Sequence, residues 1–128
     1  MPRLTQYLRF DDTCPFAEAF AAFRDPTAKA RIDSAVRKLA RGLKPDVKPV
    51  GEGVHEARID YGPGYRVYFA NDGGDLVVLL VCGDKTTQAN DIDRARGFWA
   101  DYTTRKPGGS QGPETLPPSR PRRQKRRP

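Results

Sequence analysis

The sequence predicts an α+β domain in which an N-terminal helical hairpin and a C-terminal helix pack on a mostly antiparallel β-sheet. Apolar residues recur every three or four positions in residues 16–43 and again in residues 88–102, as in amphipathic helices. Between these segments the period changes to two, and glycine-rich turns separate the runs. The resulting order of strand, two helices, three strands and helix is typical of helices layered on one sheet.

The N-terminal half is predicted to hold an edge strand and two helices. Residues 4–10 have the length and composition of a strand. Cys14-Pro15 begins a helix, and Asp25-Pro26 ends it and begins the next, because aspartate caps well and proline is favoured at the first helical position. The short connection predicts an antiparallel helix pair. The second helix has a basic outer face made of Arg31, Arg37, Lys38 and Arg41.

The central part of the chain predicts three strands. Residues 54–61 and 65–71 form a hairpin around the turn Gly62-Pro63-Gly64, and residues 71–75 (NDGGD) form a second tight turn. The following LVVLLVC run, Leu76 to Cys82, is continuously apolar, as expected of a central strand covered on both sides. A last helix is expected from about Gln88 to Tyr102.

The hairpin separates two kinds of side chain, because alternate residues of a strand point to opposite faces. One face is apolar, with Ala57, Ile59, Val67 and Phe69, and the other carries Arg58, Asp60, Arg66 and Tyr68. A three-residue turn would place Asp60 opposite Arg66 and Arg58 opposite Tyr68. Guanidinium groups bind phosphate oxygens at two points and stay charged. We therefore expect both arginines to project together into solvent, where they would bind a phosphate group.

The charge of the chain is concentrated in its C-terminal tail. Of the formal net charge of +7, all lies beyond Tyr102, where eight Lys or Arg residues accompany Glu114 alone. Residues 1–102 are predicted to be the single domain, and residues 103–128, which hold six of the twelve prolines, a disordered basic tail. The tail either adds salt-sensitive affinity for nucleic acid or has no partner.

Neither a membrane nor an oxidising compartment is indicated. No apolar stretch is long enough to cross a bilayer, and the N-terminus lacks a signal-like apolar region. The two cysteines, Cys14 and Cys82, lack the spacing of metal ligands. We expect a cytoplasmic protein with free thiols that needs no metal ion or other cofactor.

Two blocks of the sequence resemble a known family. Residues 45–69 read PDVKPVGEGVHEARIDYGPGYRVYF, and residues 82–92 read CGDKTTQANDI. Both blocks are similar to the phage-derived, Gp49-like addiction module killer proteins of the RelE/ParE/HigB superfamily of type II toxins. The resemblance covers about Leu4 to Tyr102. Ala57 replaces the usual leucine, and Cys82-Gly83 stands where a second glycine is common.

The resemblance implies the same fold and an endoribonuclease that cuts mRNA, usually on the ribosome. It also implies an antitoxin of the helix-turn-helix type that neutralises the enzyme and through which alone operator DNA is contacted. Two alternatives remain open. A relative branch with this fold poisons DNA gyrase, and a degenerate module would bind its antitoxin without being active.

The resemblance also implies roles for four residues. Arg66 matches the arginine that contacts the scissile phosphate, and Arg58 matches a basic position on the preceding strand. Lys85 matches a basic residue just after the last strand, and Asp91 falls where relatives place a Tyr, His or Asp. As a hypothesis, the arginines stabilise the phosphorane, Lys85 assists departure of the 5′-oxygen, and Asp91 is a candidate general base.

Each of these roles has a structural alternative. Arg66 could form a cross-strand salt bridge with Asp60. Lys85 could be a solvated loop lysine, and Asp91 could simply complement the helix dipole.

Further candidates for RNA binding are Tyr68, Lys48, Arg37 and Lys38. Tyr68 either stacks on a base or is a half-buried strand aromatic. The basic residues either track the RNA backbone or form an ordinary solvated face. The only histidine, His55, shares the apolar side of the hairpin, which argues against a catalytic role.

Overall fold

Five strands and three helices form a three-layer α+β fold in the part of the chain that the computed structural model describes, residues 3–43 and 46–105. The elements in chain order are β1 (Arg3–Gln6), α1 (Pro15–Ala22), α2 (Pro26–Ala40), β2 (Val47–Gly51), β3 (Val54–Ile59), β4 (Tyr65–Asp72), β5 (Leu76–Asp84) and α3 (Gln88–Arg105). A 3-10 turn at Lys85–Thr87 leads into α3. The predicted fold class is confirmed.

The sheet has the strand order β1-β5-β4-β3-β2. Only the pair of β1 and β5 is parallel among the described strands. β1 is the edge strand that the sequence predicts, but it ends at Gln6, and the Phe10 side chain beyond it is exposed. The Tyr7 amide still donates to the Leu79 carbonyl at 2.8 Å, after which the chain leaves the sheet.

Helices cover both faces of the sheet. On one face, α1 and α2 pack on β4 and β5 through Phe16, Ile32, Val67, Phe69 and Leu79. On the other, α3 packs through Ala95 against Tyr68, Val78 and Leu80. The continuous apolar run of β5 is therefore buried on both sides, as its sequence predicts.

Strand β2 is absent from the predicted elements. It contains Pro49 and ends at Gly51, two residues that weaken a strand signal. An edge strand tolerates proline because one side of its backbone makes no ladder hydrogen bonds. The turn after β2 needs glycine at Gly53, which has a φ of +87°. A Cβ there would also lie 2.8 Å from Nε1 of Trp99 on α3.

The helix boundaries follow the predicted caps. The Asp25 side chain accepts a hydrogen bond from the Thr27 amide at 2.9 Å, and Pro26 is the first residue of α2. α3 continues three residues past the predicted end at Tyr102, because Arg105 pairs with Asp101 at 2.7 Å. The rest of the predicted tail, residues 106–128, lies outside the described residues. No described helix has the length and hydropathy needed to cross a membrane.

The predicted pairing across the hairpin is wrong by two residues. Ile59 pairs with Tyr65, so the loop holds five residues rather than three, and Asp60 belongs to it. The loop is closed by a hydrogen bond from the Gly64 amide to the Tyr61 carbonyl at 2.9 Å. Arg58 therefore lies opposite Arg66, and not opposite Tyr68. A shift of two residues preserves the predicted faces.

Candidate anion-binding site around Arg66

Two arginines face each other across the central hairpin. Arg58 on β3 and Arg66 on β4 are paired in register. Like charges directly opposite each other destabilise a sheet, so packing alone does not account for this pair. Each arginine also has a carboxylate beside it. Glu56 Oε2 lies 3.4 Å from Arg66 Nε, and Asp46 Oδ2 lies 3.9 Å from Arg58 Nε.

The two side chains differ in exposure, which corrects the prediction that both project into solvent. Arg58 is 50% exposed, whereas the Arg66 side chain is only 11% exposed. The difference arises because residues at the start of α3 extend over the Arg66 end of the sheet. Within the described residues, Nε and Nη1 of Arg66 make no hydrogen bond. Nε is compensated by the Glu56 carboxylate 3.4 Å away, so Nη1 is the buried donor without an acceptor among the described residues, which is unusual.

A cleft of about 190 Å³ opens beside both arginines. This arginine cleft is lined by Asp46, Arg58, Ile59, Asp60, Gly64, Tyr65 and Arg66. It has room for several water molecules, each of which occupies about 30 Å³ in the liquid, and so for a phosphate group. Two guanidinium groups and two carboxylates, those of Asp46 and Asp60, therefore line the same cleft.

Gly64 lines the cleft, and Lys85 lies beside Gly64 without lining the cleft itself. A Cβ added to Gly64 would lie 3.8 Å from Arg66 Nη1 and 4.0 Å from the Cβ of Lys85. Gly64 also has a φ of +87°, which favours glycine. The exposed Lys85 and the buried Arg66 thus both lie next to Gly64, which has no side chain to separate them.

Asp91 lies in the first turn of α3, over the strand next to that of Arg66. Its carboxylate packs over Gly83, the residue of β5 that pairs with Arg66. Thr87 Oγ1 donates to Asp91 Oδ2 at 2.5 Å, and Arg94 Nη1 lies 3.6 Å from Oδ1. Burial raises the pKa of this carboxyl group, although the Thr87 hydrogen bond and the Arg94 charge oppose the rise. A carboxyl group with a raised pKa is suited to proton transfer.

The four predicted catalytic residues lie at the same end of the sheet. Arg58 and Arg66 line the arginine cleft, Lys85 lies beside Gly64, and the Asp91 carboxylate reaches Gly83 from α3. The position of Asp91 in the first turn of α3 also satisfies the helix-dipole alternative. The alternative of an Arg66–Asp60 salt bridge is not observed, because Glu56 takes that place.

The predicted RNA contact by Tyr68 is not supported. Its ring is fully buried under α3, and its hydroxyl donates to Glu56 Oε2 at 3.1 Å. Burial and the nearby carboxylate raise the pKa of this phenol. It therefore offers no free face for a base in this conformation. His55 stacks on Phe69 with ring centroids 5.5 Å apart, on the apolar side, as alternation predicts.

The three basic candidates lie on two different surfaces. Lys48 is half-exposed, with Nζ 3.9 Å from Glu56 Oε1, and so borders the site. Arg37 and Lys38 are exposed on α2, which covers the opposite face of the sheet, and Arg37 pairs with Asp33 at 2.9 Å. They do not belong to the cluster around Arg66.

Glu56, Thr87 and Gln88 are the site residues that the sequence analysis did not identify. Glu56 had a usable signal, since alternation places it on the same face as Arg58 in β3. Thr87 and Gln88 had none, because their contacts depend on where the 3-10 turn directs the start of α3.

The fold and site define a small α+β protein with two facing arginines beside a cleft, at the amino end of β4 and the carboxyl end of β5. Residues 20–98 match the family model described as phage derived protein Gp49-like (DUF891). An uncharacterized protein of Haemophilus influenzae (strain ATCC 51907 / DSM 11121 / KW20 / Rd) is 40% identical over 89 residues, covering 70% of this chain and 90% of that protein. The chain belongs to the Gp49-like family.

Proposed function

We propose that this protein is a RelE/HigB-type toxin of a type II toxin–antitoxin system that cleaves mRNA as a metal-independent endoribonuclease. One observation carries the proposal. Arg58 and Arg66 are paired on adjacent strands beside a cleft, and the buried Nη1 donor of Arg66 makes no hydrogen bond within the described residues. An RNA phosphate would supply the acceptor and offset the repulsion between the two guanidinium groups.

The chemistry requires three tasks. A base takes the proton of a 2′-hydroxyl, whose oxygen then bonds to the adjacent phosphorus. The P–O5′ bond breaks to leave a 2′,3′-cyclic phosphate, and the departing 5′-oxygen takes up a proton. Negative charge accumulates on the phosphorane between these steps. Fixed cations stabilise it without reorganising at the moment of reaction.

The residues divide these tasks by position. Arg66 and Arg58 bind the phosphate and stabilise the phosphorane. Lys85, an exposed ammonium beside Gly64, neutralises the departing 5′-oxygen. Asp91, whose pKa is raised by burial, is the general base that takes the proton of the 2′-hydroxyl. Lys48 borders the site and contacts a flanking phosphate. A helix-turn-helix antitoxin that covers this end of the sheet would exclude mRNA from the cleft.

The decisive experiment is primer extension on ribosome-bound mRNA after induction in cells. We expect new 5′ ends with the wild-type protein and none with Arg66→Ala. Arg24→Ala is the matched control, since Arg24 is exposed in the connection between α1 and α2. It should cleave like the wild type. Circular dichroism and co-purification with the antitoxin establish that Arg66→Ala is folded.

The rival functions give different results in the same cells. Growth arrest with intact transcripts and DNA damage would identify a gyrase poison instead. Absence of arrest would identify an inactive antitoxin-binding module. Either result overturns the nuclease assignment.

A further inference from the structure

A fully buried carboxylate lies at the centre of a polar network beneath the arginine cleft. Glu56 has no exposed surface. Its Oε2 accepts hydrogen bonds from Tyr68 at 3.1 Å and from Gln88 Nε2 at 2.9 Å. The same oxygen lies 3.4 Å from Arg66 Nε. Side chains of β4 and α3 therefore converge on one carboxylate oxygen of β3.

The sheet register explains how Glu56 reaches Arg66. Lys48, Glu56 and Tyr68 lie side by side on β2, β3 and β4. Arg66 lies two pairs along the ladder and on the same face, diagonal to Glu56, a separation that long side chains span. Glu56 is thus held by Tyr68, its cross-strand neighbour, and it contacts Arg66 in the next cross-strand pair on the same face.

The contact fixes the Nε edge of the guanidinium group. Glu56 lies beside Nε, whereas the buried Nη1 lies on the side of Gly64, which lines the arginine cleft. The facing charge of Arg58 would otherwise push Arg66 away from the cleft. A buried carboxylate is also costly to keep, so its presence here is not explained by stability alone.

We infer that Glu56 is a positioning residue, which holds the guanidinium group of Arg66 against the arginine cleft, where the phosphate binds. This inference rests on the proposed nuclease function. Glu56 itself does not touch the RNA, because it is completely enclosed. Tyr68 and Gln88 hold the carboxylate in place, which gives the buried tyrosine a role distinct from base stacking.

The test compares Glu56→Gln with Glu52→Gln in the full-length protein. Glu52 is exposed in the turn after β2, so the same chemical change there should leave cleavage unaltered. We expect Glu56→Gln to lower kcat on a short RNA by about 10- to 100-fold, because small misplacements of reacting groups have effects of that size. KM should not rise, since a negative charge has been removed from the anion site. Glu56→Asp, which keeps the charge with a shorter reach, should recover part of kcat.

A second readout does not depend on activity. The Nε–H signal of Arg66 in a ¹⁵N NMR spectrum should exchange slowly with water in the wild type and faster in Glu56→Gln. If the wild type does not cleave RNA, the proposed function fails while this signal still tests the positioning.

The inference is overturned if folded Glu56→Gln keeps both kcat and the slow Nε–H signal. A rise in KM at constant kcat would equally contradict it, because that result assigns Glu56 to binding. Should Glu56→Gln not fold, Gln88→Ala removes one hydrogen bond from Oε2 and leaves the charge. It should lower kcat and speed the Nε–H exchange to a lesser degree, and no change in either would refute the positioning role.

Discussion

The carboxylate of Asp91 packs directly on the backbone of Gly83. A Cβ added to Gly83 would lie 1.9 Å from Asp91 Oδ2 and 2.8 Å from Thr87 Oγ1. Gly83 is thus needed for the close approach of a buried carboxylate and not for an unusual backbone angle. Because Gly83 also pairs with Arg66, this contact sets the distance between the proposed proton carrier and the phosphate-binding arginine.

We expect Gly83→Ala to destabilise the protein and to disturb the site. The new methyl group must displace Asp91 and Thr87, and overpacking of this kind costs about 1–3 kcal/mol. Urea denaturation measures the free energy of unfolding. The control is Gly97→Ala on the open side of α3, where a Cβ meets nothing within 4 Å. Alanine there should stabilise the helix by up to about 1 kcal/mol.

The contact can be tested further by a double-mutant cycle. In an Asp91→Ala background the carboxylate is gone, so Gly83→Ala should cost less than it does in the wild type. An equal cost in both backgrounds would show that the steric conflict lies elsewhere.

A second prediction concerns the pH dependence of stability. The pKa of Asp91 is raised in the folded protein, mainly by burial, with Asp84 adding to the rise and Thr87 and Arg94 opposing it. The folded state therefore binds more protons than the unfolded state, from about pH 3.9 upward to the folded pKa. The contribution of this group to the free energy of unfolding falls as pH rises through that window and is constant above it.

Asp91→Asn removes this titration and isolates it. We expect the variant to gain stability relative to the wild type as pH increases from about 4 through the folded pKa, measured by urea denaturation. Asp11 and Asp25 have lowered pKa values and give the opposite slope, but both proteins share them, so they cancel in the difference. If the stability of the variant relative to the wild type instead falls as pH rises, the raised pKa is contradicted.

Alternation, periodicity and caps were enough to predict most of this fold from the sequence. The Asp25-Pro26 cap, the edge position of β1 and the double burial of β5 are local consequences of residue type and spacing. β2 was missed because a proline and a glycine hide a strand whose existence depends on pairing with β3.

The sequence predicted which side chains of the site share a face of the sheet, but not how they contact each other. Arg58 and Arg66 share a face under any even register, so their proximity was predictable. Their direct pairing was not predictable, since it depends on a five-residue loop, whereas the Gly62-Pro63-Gly64 motif predicts a turn of three residues. The burial of Arg66 and its contact with Glu56 depend on where α3 crosses the sheet, a tertiary property that no local pattern contains.

A third prediction follows from the facing arginines. Arg58→Gln removes one of two like charges and should raise the free energy of unfolding by up to about 1 kcal/mol at low salt. Its partner Asp46 is exposed and 3.9 Å away, so the lost ion pair offsets little. Urea denaturation at low and high salt should show the gain diminishing as salt screens the charges. RNA cleavage should fall in the same variant.

Arg24→Gln is the charge-matched control, because it lowers the net charge equally at an exposed position away from the site. An equal gain in both variants would mean that overall charge, and not the facing pair, sets the effect. Destabilisation of Arg58→Gln at low salt would indicate that Arg58 is held by stronger contacts than Asp46.

A last prediction separates the structural role of Tyr68 from a role in RNA binding. Tyr68→Phe keeps the ring but removes the donor to the buried Glu56, whose Oε2 then retains only Gln88 as a hydrogen-bond donor. We expect a loss of about 1–3 kcal/mol in the free energy of unfolding, the cost of leaving a buried charged acceptor short of a partner. Urea denaturation measures it.

Tyr102→Phe is the matched control for this loss. Its hydroxyl donates to Asp72 at 2.7 Å in a half-buried setting, where water can replace it. The control should therefore lose only about 0.5–1.5 kcal/mol, the usual net value of one hydrogen bond. Equal losses in the two variants would mean that Glu56 does not depend on Tyr68. In that case Gln88 and Arg66 are enough to hold the carboxylate. The geometry of the site is then unchanged in Tyr68→Phe, and RNA cleavage should equal that of the wild type.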